Sequence, residues 1–321
     1  MRKRIRLHQL RLGMFVEDVE SEARVSVRKF VPSLISSASE IDRMMNCKVI
    51  SVVINVRKGL DVEQQTPPSN HSRRRRFETD LLASFSMRAI EEARQSLATA
   101  KSYIHNVLSD ARIKGTFSVN AADEAVINIM SDAASNAAAM IAIARLKEHD
   151  EVTFLHSFAV SALMVTFGRK LGLGEHDIRL LAMGGLVHDL GKMALPPSIL
   201  SKTGKLTSKE MAIVRTHPQR GYELISRLDS MPLQILDICL YHHEKFDGSG
   251  YPHHLAGDEI PFMARIAAIC DVYDALTTVR PYKKAWSQTE AINLMMNSPG
   301  HFDPDLLATF VSRMIIDGTL N

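Results

Sequence analysis

The sequence predicts a mainly α-helical protein in which a small α/β module precedes one large helical domain. Three observations carry this reading. From about Glu78 onward apolar residues recur at helical spacings of three and four, and strand-like runs are essentially absent after residue 118. Before residue 62 the pattern alternates instead, in Phe15-Val16-Glu17-Asp18-Val19 and again from Val49 to Val56, around a helical piece near Ala38–Met45. Between the two zones, residues 63–78 hold Pro67-Pro68, Ser69, Asn70 and the run Arg73–Arg76 without any apolar period, which predicts a linker. The expected domains are therefore 1–62, a basic linker 63–78, and 79–321.

A chain of 321 residues has room for about two domains, and 45% apolar with 23% charged residues is ordinary for a soluble globular protein. The longest unbroken apolar stretch, Ala137–Ala144, has 8 residues, far short of the ~20 that span a bilayer. No pattern of charged cap, apolar run and small-residue cleavage site opens the chain. The expectation is a cytoplasmic protein without a membrane partner. Cys47, Cys239 and Cys270 are odd in number and lack C-x-x-C spacing, which suits a reducing compartment. The 39 basic and 36 acidic residues nearly cancel to +3, so basicity is local, in Arg2–Arg6 and Arg73–Arg76. Such runs read as solvated linker ahead of a nucleic-acid contact.

Within the helical zone, Ile90, Ala93, Leu97, Ala100, Ile104 and Val107 form a heptad-like seam. Its alanines suit close packing on the helical core, with a coiled-coil homodimer as the alternative. Further helices are expected over 120–148, 153–171, 176–190, 208–216, 218–228, 233–245, 262–278, 287–297 and 303–316.

Eight of the 13 histidines fall between His156 and His254. In Leu186-Val187-His188-Asp189-Leu190-Gly191-Lys192 an apolar helix ends in an imidazole beside a carboxylate. An unpaired buried carboxylate is costly, and a bound cation removes that cost. Asp189 offers two oxygens that can bridge two metals, and His188 one nitrogen. Lys192, four residues after His188, is expected on the same helix face. His242-His243-Glu244 ends another apolar helix. Neighbouring helical residues diverge by about 100°, so these adjacent imidazoles are expected to serve two different metals. Asp271 and Asp274 sit one turn apart in the apolar Ile266–Leu276, His217 precedes Pro218 at a helix start, and His156 stands in Phe154–Val160. Each alone reads as a core residue. Five separate helices presenting His or Asp from apolar settings point to a metal centre. Directly after the paired histidines comes Asp247-Gly248-Ser249-Gly250-Tyr251-Pro252, whose glycines allow close backbone approach and whose tyrosine can stack on a base.

HDLGK at 188–192, HHE at 242–244, DGSGYP at 247–252 and DVYDALTTVRPYKKA at 271–285 resemble the HD-GYP family of cyclic di-GMP phosphodiesterases, over roughly residues 150–300. Residues 1–62, beginning Leu10-Arg11-Leu12-Gly13-Met14-Phe15-Val16, resemble a domain of unknown function that often precedes HD-GYP modules. The resemblance implies an all-helical HD-type metal-dependent phosphohydrolase domain. It implies His156, His188, Asp189, His217, His242, His243 and Asp271 as metal ligands, with Asp189 bridging. Asp189 and Lys192 are the implied catalytic residues. Lys192, Asp247, Gly250, Tyr251, Asp274, Arg280 and Lys283 are the implied substrate contacts. The cofactors implied are two divalent ions about 3.5–4 Å apart, iron or manganese, activating a water against one phosphodiester. The product expected is linear pGpG, and GMP after a second cut. The GYP loop is the expected site of a protein partner. Relatives with a third metal carry a glutamate four residues before the first histidine, where this chain has Val152. Two rival readings stay open: a cyclic di-GMP receptor without catalysis, and a hydrolase of another cyclic dinucleotide such as cyclic GMP-AMP.

Overall fold

The computed structural model describes residues 2–7, 10–21, 31–46, 49–60, 79, 83–145, 152–202, 204–228, 231–278 and 286–320. Two compact units divide the chain, residues 1–69 and 70–321. The linker expected at 63–78, with Arg73–Arg76, lies outside the described residues.

In the first unit β1 (Arg2–Arg6), β2 (Phe15–Ser21), β3 (Ser33–Leu34) and β4 (Val49–Asn55) form an antiparallel sheet ordered β1-β4-β2-β3, accompanied by α1 (Ala38–Asn46). Period-two alternation places Val16, Val52 and Ile54 in a core with Ile5, Met14 and Ile35. Arg2–Arg6, read as a solvated basic run, is instead a strand paired with β4 from Arg2↔Asn55 to Arg6↔Ser51. Ile5 supplies its buried contact, and Arg2 pairs with Glu17, so the charges line a strand rather than a linker.

The second unit opens with α2 (Met87–Ile113) and α3 (Val119–Ala144), whose N-terminal amides are capped by the Ser86 and Ser118 hydroxyls. Ile90, Ala93, Ala100, Ile104 and Val107 of the seam are buried, and Leu97 is half-buried against the same core. The seam packs on α3. By length and composition α3 could cross a bilayer, although its longest unbroken apolar run, Ala137–Ala144, has only 8 residues. In this fold its apolar side packs against α2 and the next helix, α4 (Val152–Lys170).

There follow α5 (Glu175–Val187), a 3-10 turn at Leu190–Ala194, α6 (Pro197–Leu200), α7 (Ser208–Val214), α8 (His217–Ile225) and α9 (Leu233–Tyr241). A 3-10 turn at Gly257–Glu259 leads to α10 (Phe262–Thr277), α11 (Gln288–Met296), α12 (Pro304–Phe310) and a π turn at Val311–Ile316. Glycines set two close approaches. A Cβ on Gly185 would stand 2.8 Å from the Ser161 Cα, so α5 lies directly against α4. A Cβ on Gly191 would stand 1.9 Å from the His217 carbonyl oxygen, which brings the turn after α5 onto the start of α8.

Two helices end earlier than their apolar pattern predicts, at Val187 rather than 190 and at Tyr241 rather than 245. The cause is chemical. The His188 ring donates to the Gly185 carbonyl at 2.8 Å and the His242 ring to the Cys239 carbonyl at 3.0 Å. Side chains thus satisfy carbonyls left open at a helix end.

Candidate metal centre

Five elements converge on the Asp189 carboxylate. It is flanked by His156 from α4, His188 at the end of α5, His217 from α8, and His242 just beyond α9, while Asp271 reaches in from α10. His156 Nε2 lies 3.4 Å from Asp189 Oδ2 and 3.0 Å from Asp271 Oδ1. His188 Nε2 lies 3.5 Å from Asp189 Oδ2, and His217 Nε2 3.1 Å from Asp189 Oδ1. Lys192 donates to Asp189 Oδ2.

The rings are oriented from behind. His188, His217 and His242 donate from Nδ1 to the carbonyls of Gly185, Val214 and Cys239 at 2.8, 2.8 and 3.0 Å. A carbonyl can only accept, so Nδ1 carries a proton in each ring, and in the neutral tautomer this leaves the lone pair at Nε2. His217 and His242 then face each other Nε2 to Nε2 at 3.2 Å, a contact that a shared proton or a bound cation satisfies. His188 Nε2 and Asp189 Oδ1 are buried without hydrogen-bond partners. Nε2 atoms converging beside a buried carboxylate fit a divalent cation, with the Nδ1 protons anchored as metal-ligand histidines have them. The donors fall into two groups that share Asp189: His156 and His188 in one, His217, His242 and His243 in the other.

The electrostatics agree. Burial pulls the His242 imidazole well below its ordinary range, reinforced by the His243, His188 and His217 rings, and burial holds His243 down at about 3. Both are neutral and ready to ligate. Burial opposes ionisation of Asp189, yet Lys192 and the surrounding histidines hold it well below the usual carboxylate range.

Several expectations change. His242 and His243 do not diverge: both lie past the last turn of α9, their centroids are 4.2 Å apart, and they share one donor group. Lys192 is not one α-turn from His188. The 3-10 turn, with three residues per turn, sets it on Asp189 instead. Asp274, expected at the substrate, is fully buried, accepts from His156 Nδ1 at 2.7 Å and from the Thr278 hydroxyl at 3.1 Å, and so orients the His156 ring. Asp247 is exposed, and its Oδ1 accepts from the Ser249 amide at 2.9 Å, which shapes the loop. Gly250 serves the loop's own backbone: a Cβ there would stand 2.3 Å from the Lys245 nitrogen. Tyr251 does reach the centre, stacked on His243. Arg280 and Lys283 lie outside the described residues.

Motif reading quoted Glu244 without giving it a role and passed over Arg215. Glu244 is buried and accepts from the His253 amide at 2.6 Å, tying the loop's far end to the paired histidines. Arg215 lies over the Tyr251 ring. A cavity of about 430 Å³ bordered by Phe246, Phe262, Arg265 and Leu306 includes none of the clustered histidines.

A helical core that gathers imidazoles around the aspartate of a His-Asp pair defines a metal-dependent phosphohydrolase of the HD class. Residues 125–306 match the HD domain family, and residues 2–122 match a domain of unknown function, DUF3391. A cyclic di-GMP phosphodiesterase of Pseudomonas aeruginosa is 37% identical over 98% of this chain and 77% of its own length. A 3'3'-cGAMP-specific phosphodiesterase of Vibrio cholerae is 43% identical over 42% of this chain and 26% of its own length. An HDG"Y"P protein from Bdellovibrio bacteriovorus shares the fold, with a TM-score of 0.59 at 18% identity over 97% of this chain and 99% of that chain. The chain belongs to the HD-domain family, among the HD-GYP phosphodiesterases.

Proposed function

We propose that this chain opens cyclic di-GMP to linear pGpG, using two divalent ions held by two donor groups that share Asp189. The observation that carries the reading is the facing Nε2 atoms of His217 and His242, 3.2 Å apart beside a buried carboxylate. The full-length kinship with a cyclic di-GMP phosphodiesterase supports the substrate. His156 and His188 would hold one ion and His217, His242 and His243 the other, with Asp271 beside the first group. The donor set is nitrogen and oxygen without thiolate, which suits iron or manganese. Cys239 is no ligand: burial raises its thiol, and its sulfur donates to the His188 carbonyl.

Bound ions would supply a water acidic enough to attack near neutral pH and positive charge for the phosphate. The chain's own residues do the rest. Asp189, kept ionised, holds the donor groups together. Lys192, partly exposed beside it, is placed to neutralise charge gathering on the phosphoryl oxygens. Arg280 and Lys283 are the further phosphate contacts in this reading, and the GYP loop is the surface for a protein partner.

Ion number follows from α4, which begins at Val152, one turn before His156. Valine has no lone pair to offer an ion, where relatives with a third metal carry a glutamate at this sequence position, so two ions and accumulation of pGpG are expected. The test is anaerobic purification, metal analysis, and chromatography of products from cyclic di-GMP and 3'3'-cGAMP side by side. Two ions per chain with pGpG ahead of GMP supports the proposal. A fully loaded protein that binds cyclic di-GMP without cutting it makes the chain a receptor. Preferential cleavage of 3'3'-cGAMP moves the substrate to that of the Vibrio cholerae relative.

A further inference from the structure

Four of the five clustered histidines are oriented through Nδ1, and the fifth is not. His156 donates to Asp274, His188 to Gly185, His217 to Val214, and His242 to Cys239. Among the described residues His243 has no such hydrogen bond. Its ring is held by rings. Tyr251 stacks on it at 4.9 Å between centroids and 29° between planes, and His217 meets it edge-on at 5.0 Å. The Tyr251 amide also donates to the His243 carbonyl at 3.2 Å, closing the loop back on the residue it orients. The Arg215 guanidinium lies 5.3 Å from the Tyr251 centroid, and Arg215 stands two residues before His217, a donor of the same group.

We propose that Tyr251 is a positioning residue for the metal group of Asp189, His217, His242 and His243: its ring fixes the His243 imidazole as the Nδ1 hydrogen bonds fix the other four. The reason is chemical. A ligand ring must be turned to aim one nitrogen, and a stacked aromatic face restricts that turn as a hydrogen bond does. The proposal assigns this role to the aromatic face and not to the phenol oxygen. The proposal makes the GYP loop part of the metal group's support: displacing Tyr251 from His243 loosens one ion group and leaves the His156 and His188 group in place.

This rests on the two-group metal reading above, so the test separates the two. Metal-free full-length chains are titrated with Co²⁺, following visible absorption and stoichiometry. The variants are wild type, Tyr251→Phe, Tyr251→Leu, Arg215→Ala and His243→Ala. In Tyr251→Leu one of two Co²⁺ classes should weaken about 10-fold or more, as loss of a ligand's orienting partner does, with its bands shifted. Tyr251→Phe should stay within about twofold of wild type and keep the wild-type spectrum, since the ring is retained. Arg215→Ala should weaken the same class by a smaller factor, which keeps the test alive if the leucine variant does not fold. Wild-type binding and spectra in both Tyr251→Leu and Arg215→Ala overturn the proposal while leaving the metal reading intact. Equal loss in Tyr251→Phe and Tyr251→Leu also overturns it, because the hydroxyl would then be the active group. Unchanged Co²⁺ binding in His243→Ala overturns the metal reading and the proposal together.

Discussion

Burial alone would pull the His156 imidazole down, but the hydrogen bonds it donates to Asp189, Asp271 and Asp274 outweigh it and hold the ring up at about 10, hence charged. In the metal-free protein this charge contributes stability that is complete below pH ~6.5, the ordinary histidine value, and is lost as pH rises through about 10. A metal at Nε2 must displace that proton. Loading at pH 7.5 should therefore release about one proton per chain, and affinity should rise with pH across neutrality. Calorimetry in buffers of different ionisation enthalpy measures this, and loading without proton release contradicts it. Asp274→Asn should weaken binding at the His156 group about 10–100-fold, as loss of an orienting partner does; equilibrium dialysis reads it. Asp189→Ala should empty both groups, and full metal content in that variant would refute the shared-ligand arrangement. At this scale the residue types were legible in the sequence, and their directions were not. A carboxylate one turn from Asp271 looks the same in sequence whether it faces substrate or the back of an imidazole. The expectation of Asp274 at the substrate could not foresee its contact with His156 for that reason.

Helices were legible wherever a long apolar period ran, because α4 and α10 are buried over most of their length and α3 along one side. Their ends were harder to read where a functional side chain replaced a backbone partner, as His188 does at Gly185 and His242 at Cys239. The 3-10 turn after α5 left no periodic signal at all, since five residues cannot establish one. Yet that turn places Lys192 on Asp189 and packs Gly191 against α8. A methyl group on Gly191 would collide with backbone, with the His217 oxygen at 1.9 Å and the Gly221 nitrogen at 2.5 Å. Neither can rotate away as a flexible side chain could. Gly191→Ala should then cost about 1–3 kcal/mol, the usual range for overpacking, read as a shift in the urea midpoint. Because the same contact sets Asp189 against His217, the variant should also retain metal less well than its stability loss alone explains. Wild-type stability and metal content would show that the two elements can part without consequence.

The two compact units divide the chain after Ser69, whereas the DUF3391 match runs on to residue 122 and the HD match begins only at 125. The difference is α2, which the first family model takes in and which packs within the helical unit. Its buried face carries Ile90, Ile104, Val107 and Leu108, set on α3. Four such aliphatic side chains at about 1.5–3 kcal/mol each amount to something on the order of 6–12 kcal/mol as an upper estimate. A domain's whole stability is about 5–15 kcal/mol. A fragment cut at the family boundary, starting at Ala125, would lose a contribution comparable to its entire margin and bare the apolar flank of α3. A fragment starting near Thr79 keeps the helix and its serine cap. The longer fragment should unfold cooperatively and bind metal, and the shorter should aggregate or melt without a cooperative transition. Circular dichroism melts and size-exclusion chromatography on the pair decide it. If the Ala125 fragment folds and loads metal as the Thr79 fragment does, α2 belongs to the N-terminal module in energy as well as in sequence. The seam on its buried face would then be dispensable to the metal-binding unit.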